Sequence, residues 1–313
     1  MTGYRDPFLK HRKAQEKAHL ARVGETVDPM ASLISVEMNV TELCNRVCDF
    51  CPRVDPEIYP NRDLSMDLEV SRKVVSDLAG FGYGGRISFS GYGESLLNKQ
   101  LSDHIRIFRT ALPENFIETN TNGDKLTLAL IQELFKAGIS ALYVNLYDGP
   151  EQIDEFTELF AEAGIGQEHY KLRPHWPGSA EDFGLTLNNR AGIMENAEVG
   201  LVPLEQGLKG RCYYPFYKMF VDWNGDVLFC ANDWARNIIV GNVMKNSVGE
   251  IWMSEKMRDT RLRLGRGDRG FNPCGKCDVV GTLHGQFSFD HLMSLYGESE
   301  GDESTPPKNE ATG

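Results

Sequence analysis

The chain has 313 residues, 41% of them hydrophobic, enough apolar material for one large core or a large domain with a small companion. A net charge of −12 argues against a protein that grips nucleic acid or an anionic membrane surface, and neither is expected as a partner. No apolar run of about 18 residues exists, and the N-terminus, charged from Arg5, lacks an apolar signal core, so the expected compartment is the cytoplasm, where the seven cysteines stay reduced.

Residues 9–22 are basic and read as a helix. A strand is predicted over 33–40, running straight into "TELCNRVCDFCPR" (41–53), which sets Cys44, Cys48 and Cys51 in a C-x3-C-x2-C spacing. A helix follows over 65–82, with Ser65 as its cap, Asp67 in its first turn and Leu68, Val74, Val75 and Leu78 as its apolar stripe. Residues 86–91 are a short strand. Residues 98–112 place Leu101, Ile105, Phe108 and Leu112 on one helical face. A strand and turn at 115–123, a helix at 126–138 closed by Gly138, a strand at 140–149, a helix at 150–164 and a strand at 169–176 come next. "LNNRAG" (187–192) reads as a sixth strand.

Strands alternating with helices call for a parallel sheet with helical crossovers, either a barrel or a doubly wound sheet. In both, ligands bind at the carboxyl ends of the strands. The cysteine loop, "GYGES" (91–95), "TNTNG" (119–123), "NLYDG" (145–149) and "RPHW" (173–176) all fall at such ends, which points to a single active site.

Beyond residue 200 the pattern changes. "MFVDW" and "DVLFC" are two β-rich runs joined by Asn224-Gly225, a two-residue hairpin signal, with Cys212 and Cys230 on either side. A helix is predicted over 248–264, and Cys274 and Cys277 form a C-x2-C pair. The thiols therefore sort as three and four. Four thiolates satisfy a tetrahedral site, by ligand chemistry either zinc or a [4Fe–4S] cluster. Three make a poor closed zinc site; a cubane with one open iron fits them better, because a small molecule can coordinate there. The acidic, Pro/Gly-rich stretch 297–313 is expected to be disordered. The expected domains are a basic helical extension (1–32), the barrel (33–200), a small second domain (201–295) and the tail (296–313).

The C-x3-C-x2-C loop after the first strand resembles the signature of the radical S-adenosylmethionine (radical SAM) superfamily. Phe50 sits where that family has an aromatic beside the SAM adenine, and Gly91, Tyr92, Gly93 and Glu94 look like its Gly-Gly-Glu motif, which binds the SAM amino group. The resemblance implies a partial (β/α)6 barrel of the TIM type. Its cluster, held by Cys44, Cys48 and Cys51, would be chelated by SAM and would cleave it to methionine and a 5′-deoxyadenosyl radical. Cys212, Gly225 and Cys230, with Cys274 and Cys277, resemble the SPASM/twitch extension in its shorter form, which implies a second, auxiliary [4Fe–4S] cluster ligated by those four cysteines.

The resemblance also implies that polar residues on the third to sixth strands hold SAM. Asn120, Asn145 and Arg173 are the candidates, with Asn189 and Arg190 in addition. His175 would share a strand face with Arg173 and is the candidate proton acceptor. All seven cysteines are assigned to clusters, so none remains to return a hydrogen atom to a substrate radical. The expected reaction is therefore oxidation of a small polar metabolite, a sugar or aminocyclitol, as in the aminocyclitol dehydrogenases of the twitch subgroup. A flavodoxin or ferredoxin is the expected electron donor. Radical modification of a peptide, a redox-neutral dehydration or epimerisation, and a non-catalytic metal-binding scaffold are the alternatives.

Overall fold

Short apolar runs separated by amphipathic stretches build a sheet with its helices on one face. The computed structural model describes residues 9–24, 26–175 and 188–297. Its elements begin with α1 (Leu9–Val23), β1 (Ser35–Met38), α2 (Leu68–Gly80), β2 (Arg86–Phe89), α3 (Leu101–Ala111), β3 (Ile117–Thr121), α4 (Leu128–Ala137), β4 (Ala141–Leu146), α5 (Glu151–Glu162) and β5 (Tyr170–Pro174). They continue with α6 (Tyr214–Tyr217), β6 (Lys218–Val221), β7 (Asp226–Leu228), β8 (Ile239–Asn242), α7 (Val248–Trp252), α8 (Glu255–Gly265) and α9 (Gln286–Leu295).

The strands form one sheet in the order β5-β4-β3-β2-β1-β6-β7-β8. β1 to β6 run parallel, and β7 and β8 are antiparallel additions at the far edge. The six parallel strands are the expected partial barrel. Alternate strand residues, Val36, Met38, Ile87, Phe89 and Ile117, belong to the same buried core as Val74, Leu78, Ile105, Phe108, Ile131 and Leu134 of α2, α3 and α4. The intervening residues are polar and satisfy one another: Lys218 pairs with Glu37 at 2.6 Å, Ser90 donates to Glu37 at 3.0 Å, and Arg86 pairs with Glu118 at 3.2 Å.

Four local expectations need correction. The sixth strand is β6, not 187–192. Arg190–Gly192 is a 3-10 turn, and Arg190 and Ala191 both have positive φ (49° and 56°), which no strand accommodates, whereas "KMFV" supplies apolar residues for both faces. Asp67, not Ser65, caps α2, accepting from the Glu69 N–H; Ser65 bridges Thr41 instead. The β6–β7 connection is a four-residue loop, Asp222 to Gly225, not a two-residue one. It closes on an Asp222 N–H to Asp226 carbonyl bond of 2.7 Å, with Gly225 at φ 84°. The helix expected over 248–264 breaks after Trp252, because Ser254 caps a new one, α8. Gly138 closes α4 in the left-handed conformation as expected (φ 104°). Residues 1–8, Trp176, Leu187 and the stretch 298–313 expected to be disordered lie outside the described residues. Among the described residues no helix is long and apolar enough to cross a membrane.

Candidate active site at two cysteine sets

The first set lies in the loop that leaves β1. The Cys44 N–H donates to Asn61 Oδ1 at 2.9 Å, and Asn61 Nδ2 returns a bond to the Cys44 carbonyl at 2.8 Å. The Cys51 N–H donates to the Cys48 carbonyl at 2.9 Å. Burial, with Cys51 and Cys44 close by, pushes the Cys48 thiol up to about 12, and burial raises Cys44 as well. Cys44 and Cys48, whose ionisation burial and neighbouring thiols disfavour, need a cationic group to become thiolates together. Arg53, buried, pins the loop: its guanidinium donates to the Tyr92 carbonyl at 2.9 and 3.1 Å, to Asn61 Oδ1 at 2.9 Å and to the Glu42 carbonyl.

Gly91 to Glu94 lie against this loop. A Cβ at Gly93 would stand 2.1 Å from the Thr41 carbonyl oxygen, and one at Gly91 would stand 2.4 Å from Asn39 Oδ1. The glycines thus admit the chain's own first loop. Glu94 is buried and accepts from Thr121 Oγ1 (2.7 Å), the Asn122 N–H (2.8 Å) and the Leu96 N–H (3.1 Å); burial raises its pKa. Tyr92 reaches the other way, its hydroxyl donating to the Asp233 carbonyl at 3.0 Å.

Four of the remaining candidates converge at the ends of β3, β4 and β5. Arg173 donates to Asn120 Oδ1 at 3.2 Å, and Asn145 and Arg173 are direct register partners. His175 Nε2 bonds Asn145 Oδ1 at 2.9 Å, while Asn145 Nδ2 donates to the Thr121 carbonyl at 3.1 Å. Asn145 thereby presents an acceptor, so Nε2 of His175 carries the proton and Nδ1 is a bare lone pair. That nitrogen is buried and has no hydrogen-bond partner among the described residues. Burial, and secondarily Arg173, lower the imidazole pKa to about 4. Tyr147 stacks on His175 at 5.0 Å, with Phe50 5.9 Å from Tyr147 and 6.5 Å from His175.

Arg46, between Cys44 and Cys48, was not singled out from the sequence. It forks onto two carboxylates, Asp124 (2.5 and 2.7 Å) and Asp148 (2.5 and 2.8 Å), and covers the Tyr147 ring at 5.2 Å. The only sequence signal for it was an aspartate just after each of the third and fourth strands.

The second set gathers in one cavity, lined by Cys212, Cys230, Cys274 and Cys277 with Phe229 and Arg269. Burial raises all four thiols, Cys277 to about 11. Arg269 is buried and donates to the carbonyls of Gly210 (3.0 Å), Arg211 (2.7 Å), Val279 (2.6 Å) and Val280 (2.6 Å), which binds the walls together. Asn232 points both its backbone and side-chain N–H groups at Cys230 Sγ, 3.5 and 3.8 Å away. Among the described residues no three His, Cys, Asp or Glu side chains are grouped to hold a single metal ion. Asn189 is buried beside this set: Nδ2 donates to the carbonyls of Lys276 (2.7 Å) and Val202 (3.0 Å), and its N–H to the Asp278 carboxylate. Arg190 lies over the Trp234 ring at 5.8 Å. Tyr59, Tyr92 and Trp234 pack together, with Cys51 of the first set and Ala231, the residue after Cys230, against them.

Residues 38–164 match the radical SAM superfamily and residues 212–278 match the SPASM iron–sulfur cluster-binding domain. The chain has the radical SAM fold, and its SPASM-type segment begins just before β6, the last of the parallel strands. It is 28% identical over 270 residues to the S-adenosyl-L-methionine-dependent 2-deoxy-scyllo-inosamine dehydrogenase of Niallia circulans, covering 85% of this chain and 100% of that one. The crystal structure of BtrN in complex with AdoMet and 2-DOIA superposes with a TM-score of 0.66 at 27% identity, over 79% of this chain and 94% of that one. BtrN in an open conformation gives 0.58 at 25% identity, with 79% and 93% coverage.

Proposed function

We propose that this protein is a radical SAM dehydrogenase that oxidises a hydroxyl-bearing carbon of a small polar metabolite, a sugar or aminocyclitol. One observation carries the reading: three half-buried thiols in one loop and four thiols around one cavity form two separate sets, and a packed aromatic cluster touches Cys51 of the first and Ala231, next to Cys230, of the second. The likeness to the inosamine dehydrogenase and to BtrN supports the substrate class. The donor sets fit two clusters. Cys44, Cys48 and Cys51 would hold one and leave a position for SAM, and Cys212, Cys230, Cys274 and Cys277 would hold the second with full ligation. Four thiols that wall a cavity suit a cluster better than a single zinc ion. Together with SAM, the clusters supply hydrogen-atom abstraction and an acceptor for one electron.

The chain's own residues do the rest. Phe50 and Tyr147 offer ring faces to the adenine. Glu94, held by three donors, offers its remaining lone pairs to the SAM amino group, and Arg173 suits the carboxylate. Arg190 and the second cysteine set face the substrate's other side. His175 Nδ1 takes the proton of the substrate hydroxyl as the carbon is oxidised. No cysteine is left over to return a hydrogen atom, which favours oxidation over epimerisation. A reduced flavodoxin or ferredoxin in the cytoplasm would deliver the priming electron.

Anaerobic reconstitution tests the reading. About eight irons per chain are expected from two cubanes, with dithionite-dependent release of 5′-deoxyadenosine and a substrate oxidised by two electrons. Zinc alone, with no SAM cleavage, would overturn it.

A further inference from the structure

One guanidinium joins the two cysteine sets. Arg236 lies six residues beyond Cys230 and reaches across to the first loop. Its Nε donates to Asp222 Oδ2 at 2.6 Å, Nη2 to Glu42 Oε1 at 2.5 Å, and Nη1 to the Tyr59 hydroxyl at 3.1 Å. Asp222 opens the loop between β6 and β7, the hairpin that leads to Cys230. Glu42 lies two residues before Cys44, and Tyr59 eight residues after Cys51. Asn39 completes the ring: Nδ2 donates to Asp222 Oδ1 at 2.7 Å and Glu42 Oε1 at 3.1 Å, while Oδ1 accepts from the Tyr92 N–H at 2.9 Å. Both carboxylate side chains are almost fully enclosed, 1% exposed at Asp222 and 4% at Glu42. The guanidinium also faces the rings of Tyr92 (5.2 Å) and Tyr59 (5.6 Å). Beside it, Tyr92 and Trp234 pack at 4.4 Å and Tyr59 and Trp234 at 4.9 Å.

The backbone shows that this placement is imposed. Arg236 has φ 55°, a conformation that L side chains rarely adopt and that persists only where the surroundings over-determine it. Two buried carboxylates and one guanidinium are a poor way to gain stability, since an apolar substitute often does as well, but they specify a register that apolar packing leaves loose. The elements registered here are the segments that carry the first cysteine set, the glycine motif and, of the second set, Cys230.

We propose that Arg236 is a positioning residue: it fixes the first cysteine loop against the second cysteine set, so that a substrate held between them gives up its hydrogen atom on one side and its electron on the other within a single turnover. The role rests on the dehydrogenase reading above. It separates two quantities that a purely structural role would not, namely SAM cleavage and the product formed per SAM cleaved.

The test compares Arg236→Gln, Arg236→Lys and wild type after anaerobic reconstitution. In Arg236→Gln, iron content and SAM cleavage without substrate stay within about twofold, while product per 5′-deoxyadenosine falls about tenfold or more, since small displacements of reacting groups have effects of that size. Arg236→Lys recovers part of that ratio. In reconstituted protein without SAM or substrate, amide hydrogen exchange rises together in peptides covering 39–61 and 222–242 of Arg236→Gln. An unchanged product ratio overturns the proposal, as does exchange that rises in only one of the two segments. If Arg236→Gln does not fold, Asp222→Asn is expected to show the same lowered ratio, and an unchanged ratio there is equally decisive. If wild-type protein cleaves no SAM, it is the dehydrogenase reading that fails. The exchange comparison still decides whether Arg236 ties the two loops.

Discussion

His175 is the residue whose geometry says most about the chemistry. Its Nε2 is committed to Asn145, its Nδ1 faces no described partner, and burial holds the ring neutral with a pKa of about 4. A neutral imidazole accepts a proton without first losing one, so product formation is expected to be flat in its response to this group from pH 6 to 8. His175→Gln is expected to leave SAM cleavage without substrate within a few-fold and to lower product formation by about 10²-fold or more, as for loss of a general base. Quantifying 5′-deoxyadenosine and oxidised product in the same reaction checks it; product formation that survives the substitution removes His175 from the mechanism. His104 carries a linked prediction for stability. It is buried on Ser71 Oγ at 2.7 Å, and burial lowers its pKa to about 4 from an ordinary 6.5. The unfolded chain therefore binds a proton that the folded one refuses. Stability is full above about pH 6.5 and is lost as pH falls towards 4, by on the order of 2 kcal/mol at pH 5 for this one group. Urea midpoints at pH 7 and pH 5 should differ more for wild type than for His104→Gln. The residues hardest to see in the sequence were arginines. Arg46, Arg53, Arg236 and Arg269 bind carbonyls and carboxylates that come together only in the fold, and nothing in their local sequence announces that. Cys44, Cys48 and Cys51, and the Cys274–Cys277 pair, were legible from their short spacing, whereas Cys212 and Cys230 were legible only from their places on either side of the hairpin.

At the scale of elements, the close approach of the glycine segment to the first loop is a backbone-on-backbone contact. A methyl at Gly93 meets the carbonyl oxygens of Thr41 and Leu43, neither of which is the end of a flexible side chain. Gly93→Ala must push the two loops apart, and with them Glu94 and Cys44. Its affinity for SAM is expected to fall about tenfold or more. Gly80→Ala is the control: its Cβ would meet nothing within 4 Å, in the last turn of α2, and the substitution is expected to be neutral or to stabilise by about 0.5–1 kcal/mol. Equilibrium SAM binding and thermal melting of the two variants separate the cases, and equal affinities would show that the approach is not needed. The βα alternation up to β5 was readable because each unit carries its own periodicity. The sixth strand was not, because its partner β1 lies far back in the chain. Locally, "KMFV" looks only like one arm of a hairpin, and only the parallel pairing makes it part of the barrel sheet.

For the whole molecule, β6 matters because it makes the two cysteine regions one body. It pairs in parallel with β1, whose end launches the first set, and in antiparallel fashion with β7, whose end carries Cys230. The two sites therefore hang from adjacent strands of a continuous sheet. Their chemistry should nonetheless separate cleanly when thiols are removed one set at a time. Cys48→Ala is expected to abolish both SAM cleavage and product, because no site would remain where SAM can be reduced. Cys230→Ala is expected to lower iron from about eight to about four per chain. It should keep SAM cleavage within a few-fold and reduce oxidised product by about 10²-fold, since the substrate would give up its hydrogen atom with no acceptor for the electron left behind. Iron content and the two products, measured on the same preparations, make the comparison. Full product formation by Cys230→Ala would make the second set structural, and the sheet would then be holding together a one-cluster enzyme whose oxidant comes from outside the chain.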